Sequence, residues 1–89
     1  MGHQGRATLR RSLGQRLRDL RLRAGITSQE KLAHLAGVHR TYIGRLERGE
    51  SGVTVDALAA ILAAMALSLA EFFRPFSVVV SPKTPRRRF

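Results

Sequence analysis

The stretch from Gln29 to Leu46, QEKLAHLAGVHRTYIGRL, decides the fold. Ala33 stands four residues after Gln29, Gly37 four further, Ile43 six further and Leu46 three further. This is the spacing of two short helices joined by a tight turn. Ala33 is small enough for two helix backbones to approach closely. Gly37 can adopt the positive φ that ends one helix and turns the chain into the next. Ile43 and Leu46 lie i, i+3 apart, so they bury on one face. Arg40, Thr41, Tyr42 and Arg45 fall on other faces of the second helix. A polar helix face held at a fixed angle is a means of entering a DNA major groove.

Outward from this core, the rest of the chain reads as further helices. The first is expected from about Thr8 or Ser12 to Ala24, stopped by Gly25, with Leu9, Leu13, Leu17, Leu20 and Ala24 as its apolar stripe. Arg11 and Arg18 fall opposite the stripe, and Arg10, Arg16, Arg21 and Arg23 flank it. Thr27-Ser28-Gln29-Glu30 reads as a capping box opening helix two. Helix three is expected from about His39 to Arg48, stopped by Gly49. Thr54 caps helix four, whose apolar face is Val55, Leu58, Ile61, Leu62 and Met65. Ser68-Leu69-Ala70-Glu71 is a second capping box, opening a short fifth helix through Phe73. The fold class is all-α: five helices in one compact domain over residues 8–74. Residues 1–7 read as a disordered N-terminal arm, and residues 75–89 as an extended apolar segment, Phe76–Val80, followed by a basic tail.

Composition bounds the function. The 89 residues include no cysteine and carry a formal net charge of +10. That balance favours a polyanionic partner. Residues 1–25 hold seven arginines against one aspartate, residues 26–73 four bases against five acids, and residues 74–89 five bases and no acid. The excess charge therefore sits at the two ends, either as solvated tails or, the stronger reading, as phosphate contacts that supply affinity without sequence choice. No apolar run approaches the ~20 residues of a membrane span, and a soluble cytoplasmic protein is expected. His3, His34 and His39 do not share a metal-ligand spacing. No catalytic triad, carboxylate pair or phosphate-cradling glycine loop is apparent. The expectation is a protein without enzymatic activity, metal or cofactor.

The segments LGQRLRDLRLRAG, SQEKLAHLAGV, RTYIGRLERG and SLAEFF, together spanning Leu13 to Phe73, resemble the phage-repressor Cro-type helix-turn-helix family, also called the XRE family. HRTYIGRLERGE is most similar to controller proteins of restriction–modification systems. The resemblance implies a DNA-binding transcriptional regulator whose Gln29 touches phosphate and braces helix three. Arg40, Thr41 and Tyr42 match the opening of the recognition helix, Arg45 a later position on it, and Arg48 its end. It also implies a last helix packed across a dimer axis, with Leu62, Met65, Leu67, Leu69, Phe72 and Phe73 as interface candidates. Phosphate candidates are Arg16, Ser28, Ser51, Arg86, Arg87 and Arg88. Two copies related by a two-fold axis would read an inverted repeat in double-stranded DNA. Four departures from the family pattern stand out. One residue is added before Gln29, and His39 replaces the usual Ser or Asp cap. Glu50-Ser51-Gly52 replaces a loop that is often basic, and Ala66 replaces a helix-ending glycine.

Taken singly, the side chains leave alternatives open. Arg40 and Arg45 suit guanine, whose O6 and N7 accept a guanidinium together, with roughly 1–3 kcal/mol of discrimination. The alternative is that one or both bind phosphate, or pair with Glu47 or Asp19. Tyr42 either reaches a phosphate or is partly buried beside Ile43. Gly44 marks either close approach of the DNA backbone or mere tolerance of a residue that costs a helix about 1 kcal/mol. Glu47 reads as structural, paired to an arginine of helix one. A competing reading is an antitoxin-like protein that engages a protein partner through residues 76–80 and also binds its operator. Another is a general cationic binder of nucleic acid or membrane surfaces, which the turn spacing argues against.

Overall fold

The computed structural model describes residues 2–76. Five helices follow in order: α1 (Gly2–Arg23), α2 (Gln29–Ala36), α3 (Arg40–Glu47), α4 (Val55–Ala63) and α5 (Leu69–Phe73). There is no strand among the described residues. The all-α, five-helix expectation is met. The start of α1 is not where the sequence reading put it. The helix begins at Gly2, so residues 2–7 continue it instead of forming a loose arm. No proline interrupts this stretch, and Arg6 and Ala7 are good helix formers that extend a nucleus already made downstream.

The core is one cluster built from all five helices and the loop residue Ile26. Leu17, Leu20, Leu32, Ala33, Ile43, Leu46, Leu58, Ile61, Leu62 and Phe72 are buried with it. Leu62 and Phe72 have no accessible surface at all. Both were candidates for a dimer interface, and the structure corrects this: a side chain enclosed by its own domain offers nothing to a second copy. Val55, expected on the buried face of α4, is instead 67% exposed because it lies at the helix's first turn, beyond the core.

Helix ends account for most of the remaining turns. After α1, α2 and α3 the chain reverses through Gly25, Gly37 and Gly49, all at positive φ. At each, two backbone N–H groups reach back to the last helical carbonyls: Gly37 to His34 at 3.3 Å and Val38 to Ala33 at 3.0 Å, for example. This is the Schellman arrangement. The chain uses it a fourth time after α4, with Ala66 at φ +57° in place of glycine. There Ala66 N–H donates to Ala63 and Leu67 N–H to Leu62.

The N-terminal caps follow sequence chemistry, with one shift of register. Thr54 accepts from Ala57 N at 3.0 Å. Ser68 and Glu71 complete both halves of the expected capping box. The cap of α2 is Ser28, which accepts from Lys31 N at 2.9 Å, and not Thr27. The added residue explains it. Ile26 turns into the core, where it is 7% exposed, and Thr27 becomes the linker. Glu30 is thereby removed from any capping role.

Candidate nucleic-acid interface

The second helix of the motif, α3, is held from beneath by contacts that tolerate little movement. Ile43 and Leu46 are buried in the core. A Cβ on Gly14 of α1 would lie 2.7 Å from the Glu47 carbonyl oxygen, so α1 and α3 touch backbone to backbone. Arg21 of α1 and Glu47 form an ion pair at 2.7 Å, with side chains only 4% and 2% exposed. Arg21 Nη2 donates to the second carboxylate oxygen at 3.0 Å, and Nη1 to the Ile26 carbonyl at 3.0 Å. Gln29 Nε2 donates to Glu47 Oε1 at 2.9 Å. One carboxylate thus ties together α1, α2 and α3. The structural reading of Glu47 holds, and Arg21 is its partner.

The outer face of α3 carries Arg40, Thr41 and Arg45, all exposed. The Arg45 side chain makes no hydrogen bond or ion pair with another described residue, although its charge helps lower the Glu50 pKa. Arg40 lies 3.5 Å from the Glu30 carboxylate, both largely in solvent. Such pairs contribute little and exchange readily. His39 caps α3 through its imidazole, Nδ1 accepting from Thr41 N at 3.1 Å. Gln29, Glu30, Arg40, Thr41, Gly44 and Arg48 line a shallow groove where the two motif helices meet.

Other sequence candidates have different places. Tyr42 is half-buried against the core, so its ring serves packing. Gly44 is buried, and its missing side chain leaves room for Gln29 Oε1 and Arg48 Nη1, each 3.1 Å from where a Cβ would stand. Arg48 caps the end of α3 and pairs with Glu50 at 2.9 Å. The Arg48 hydrogen bond holds the Glu50 carboxyl below its ordinary range, against an opposing desolvation. Arg16 is no free phosphate ligand: its guanidinium donates to the Phe72 and Glu71 carbonyls at 2.9 and 2.8 Å, satisfying the end of α5. Ser51 is half-buried beside Leu13 and Val53, and its hydroxyl donates to the neighbouring Gly52 carbonyl. Ser28 is exposed at the N-terminus of α2 with its oxygen already accepting from Lys31. Arg86, Arg87 and Arg88 lie outside the described residues.

Among the interface candidates, Phe73 is 40% exposed, while Met65, Leu67 and Leu69 are half-buried at the edge of the core. Phe76, expected to open an extended segment, packs with the domain: its ring stacks on Phe72 at 5.9 Å and meets Phe73 edge-on at 5.2 Å. Residues 77–80 lie outside the described residues. Sequence reasoning missed Gly14 and the role of Arg21. The only available signal was their position beside the α1 stripe, together with an acid at the end of the motif's second helix.

No described helix is long and apolar enough to cross a membrane, and the described residues contain no cluster of His, Cys, Asp or Glu suited to a metal ion. Residues 12–72 match the helix-turn-helix domain family. The chain is 42% identical over 57 residues to the control protein C.BamHI of Bacillus amyloliquefaciens, covering 64% of this chain and 70% of that protein. It is 48% identical over 42 residues to the control protein C.SmaI of Serratia marcescens, covering 47% of this chain and 50% of that protein. Its fold is similar to that of the restriction–modification controller C.AhdI from Aeromonas hydrophila, with TM-score 0.71 and 37% identity over 75% of this chain and 96% of the other. It is also similar to the clp gene regulator ClgR of C. glutamicum, with TM-score 0.69 and 33% identity over 74% and 83%. The chain belongs to the helix-turn-helix domain family of DNA-binding transcriptional regulators, as a relative of the restriction–modification controllers.

Proposed function

We propose that this protein acts as a homodimer that places α3 of each copy in successive major grooves of an inverted repeat, as a restriction–modification controller acting on its own promoter and a neighbouring gene. The observation that carries this reading is the division of α3 into two faces. One is locked by Gly14, Arg21 and Gln29, and the other presents Arg40, Thr41 and Arg45 to solvent. Arg40 and Arg45 are the base-reading residues, Thr41 contacts a thymine methyl or a phosphate, and Gln29 and Ser28 sit at the α2 N-terminus beside the strand. The dimer contact is proposed for Phe73 with the neighbouring edges of Met65, Leu67 and Leu69.

Selection of bound sites from a random duplex library at about 150 mM salt, where non-specific phosphate binding is weak, tests the reading. The expected result is an enriched inverted repeat. Arg40→Ala is expected to relax preference at one base pair of each half-site, a loss of roughly 1–3 kcal/mol of discrimination. A folded protein that enriches no sequence would refute the proposal.

A further inference from the structure

Four arginines gather where α3 ends. Arg45 and Arg48 come from α3 and its cap, Arg10 and Arg11 from α1. A Cβ on Gly49 would lie 2.8 Å from Arg11 Cγ and 2.9 Å from Arg11 Cα, so α1 is pressed against the turn that closes α3. A Cβ on Gly52 would lie 3.3 Å from Arg10 Nη2 and 3.4 Å from its Nε, so that guanidinium lies along the loop. Arg10 and Arg11 are both exposed, and neither guanidinium has a hydrogen bond or ion pair with a described residue. The loop they border, Gly49 to Thr54, contains no cation, and its one carboxylate, Glu50, is engaged by Arg48 through both oxygens.

We infer that Arg10 and Arg11 form a second phosphate-binding site, supplying from α1 the positive charge that the loop after the recognition helix lacks. The inference rests on the DNA-binding reading and deepens it. Two guanidiniums beside a glycine-bordered loop present charge without steric bulk, which suits the close passage of a sugar–phosphate strand. Because α1 meets α3 backbone to backbone at Gly14, the two arginines keep a fixed position relative to Arg40 and Arg45. Such contacts set register and affinity but read no base.

The test is fluorescence anisotropy between 50 and 200 mM salt. It uses one labelled duplex carrying the selected inverted repeat and a scrambled duplex of equal length. Arg10→Gln with Arg11→Gln is expected to weaken both duplexes alike. The slope of log affinity on log salt should fall by about 0.9 per lost contact in each bound copy. For two contacts in each of two bound copies, the wild type then loses about 150-fold more affinity than the variant over this salt range. Gly52→Asp sets a carboxylate beside the Arg10 guanidinium and is expected to lower the slope by about half as much. Arg23→Gln, some 18 Å along the helix and about 120° around it from Arg11, should leave the slope unchanged. An unchanged slope in the folded double variant, or an equal fall in Arg23→Gln, overturns the inference while leaving DNA binding intact. A wild type that binds neither duplex overturns both.

Discussion

Replacing Ala66 by glycine should stabilise this protein, contrary to the usual effect of adding a glycine. Ala66 is exposed and sits at φ +57°, closing α4 through hydrogen bonds from its own N–H and that of Leu67. The left-handed region costs an L-residue about 1–2 kcal/mol. Glycine removes that cost but gives the unfolded chain about 0.4–1 kcal/mol of extra conformational freedom. With almost no side-chain burial to lose, the net gain is about 0.5–1 kcal/mol. For a domain of this size that is a rise in Tm of about 2–8 °C. The same reasoning predicts the reverse at the other three turns. Gly25→Ala and Gly37→Ala meet open space and should cost only the backbone strain. Gly49→Ala should cost more, because its Cβ meets the Arg11 backbone at 2.9 Å. Thermal melts followed by far-UV circular dichroism, at one fixed protein concentration so that association does not shift the midpoint, give all four values. A neutral or destabilising Ala66→Gly, with the glycine substitutions behaving as described, would refute the strain argument.

Three further outcomes can be checked on the same material. Arg21→Ala leaves Glu47 buried without its cation and should cost about 3–5 kcal/mol, whereas Arg21→Met with Glu47→Leu should recover most of it; urea midpoints at constant m distinguish the two. The Glu71 carboxyl is held below its ordinary range, first by the Ser68 backbone N–H and then by the Ser68 hydroxyl, with burial opposing. A depressed folded pKa contributes stability that is present above the ordinary carboxylate range and lost as pH falls through the folded value. Melts of the wild type should therefore weaken over that acidic window more than those of Glu71→Gln, and equal pH dependence would contradict the capping-box assignment. On the proposed dimer contact, Phe73→Glu should shift sedimentation towards the monomer without lowering helicity, since Phe73 is 40% exposed; a dimer unaffected by it would move the interface elsewhere.

Where sequence reading succeeded, the physics was local. Ser68 with Glu71, Thr54 with Ala57, and the glycines at 25, 37 and 49 each act within a few residues of themselves, so their roles are visible in order along the chain. Thr27 and Ser28 are equivalent caps by chemistry. What separates them is the burial of Ile26, a tertiary event. The same limit explains Arg16, whose carbonyl partners stand 55 and 56 residues away. It explains Gly14 too, whose need for a missing side chain arises only where α1 crosses α3. Leu62 and Phe72 show a different ambiguity: hydrophobicity marks a residue for burial without saying whether its own domain or a second copy covers it.

Charge sorting explains how a nearly neutral motif can present a positive surface. Residues 26–73 hold five acids against four bases, which by itself argues against binding a polyanion. The acids are not placed alike. Glu47 is enclosed with Arg21 and Gln29, so its charge faces inward. Glu71 is committed to the α5 cap, and Asp56 lies in the first turn of α4. Only Glu30 and Glu50 meet arginines of the α3 surface, Arg40 and Arg48, and both of those pairs are exposed. Exposed pairs are worth about 0–1 kcal/mol, so exchanging a carboxylate for a phosphate or a guanine edge costs the arginine little. An eight-residue helix would not hold its shape alone in water. By burying its one acid as an anchor, α3 obtains a fixed orientation and removes from its outer face the charge that DNA would repel.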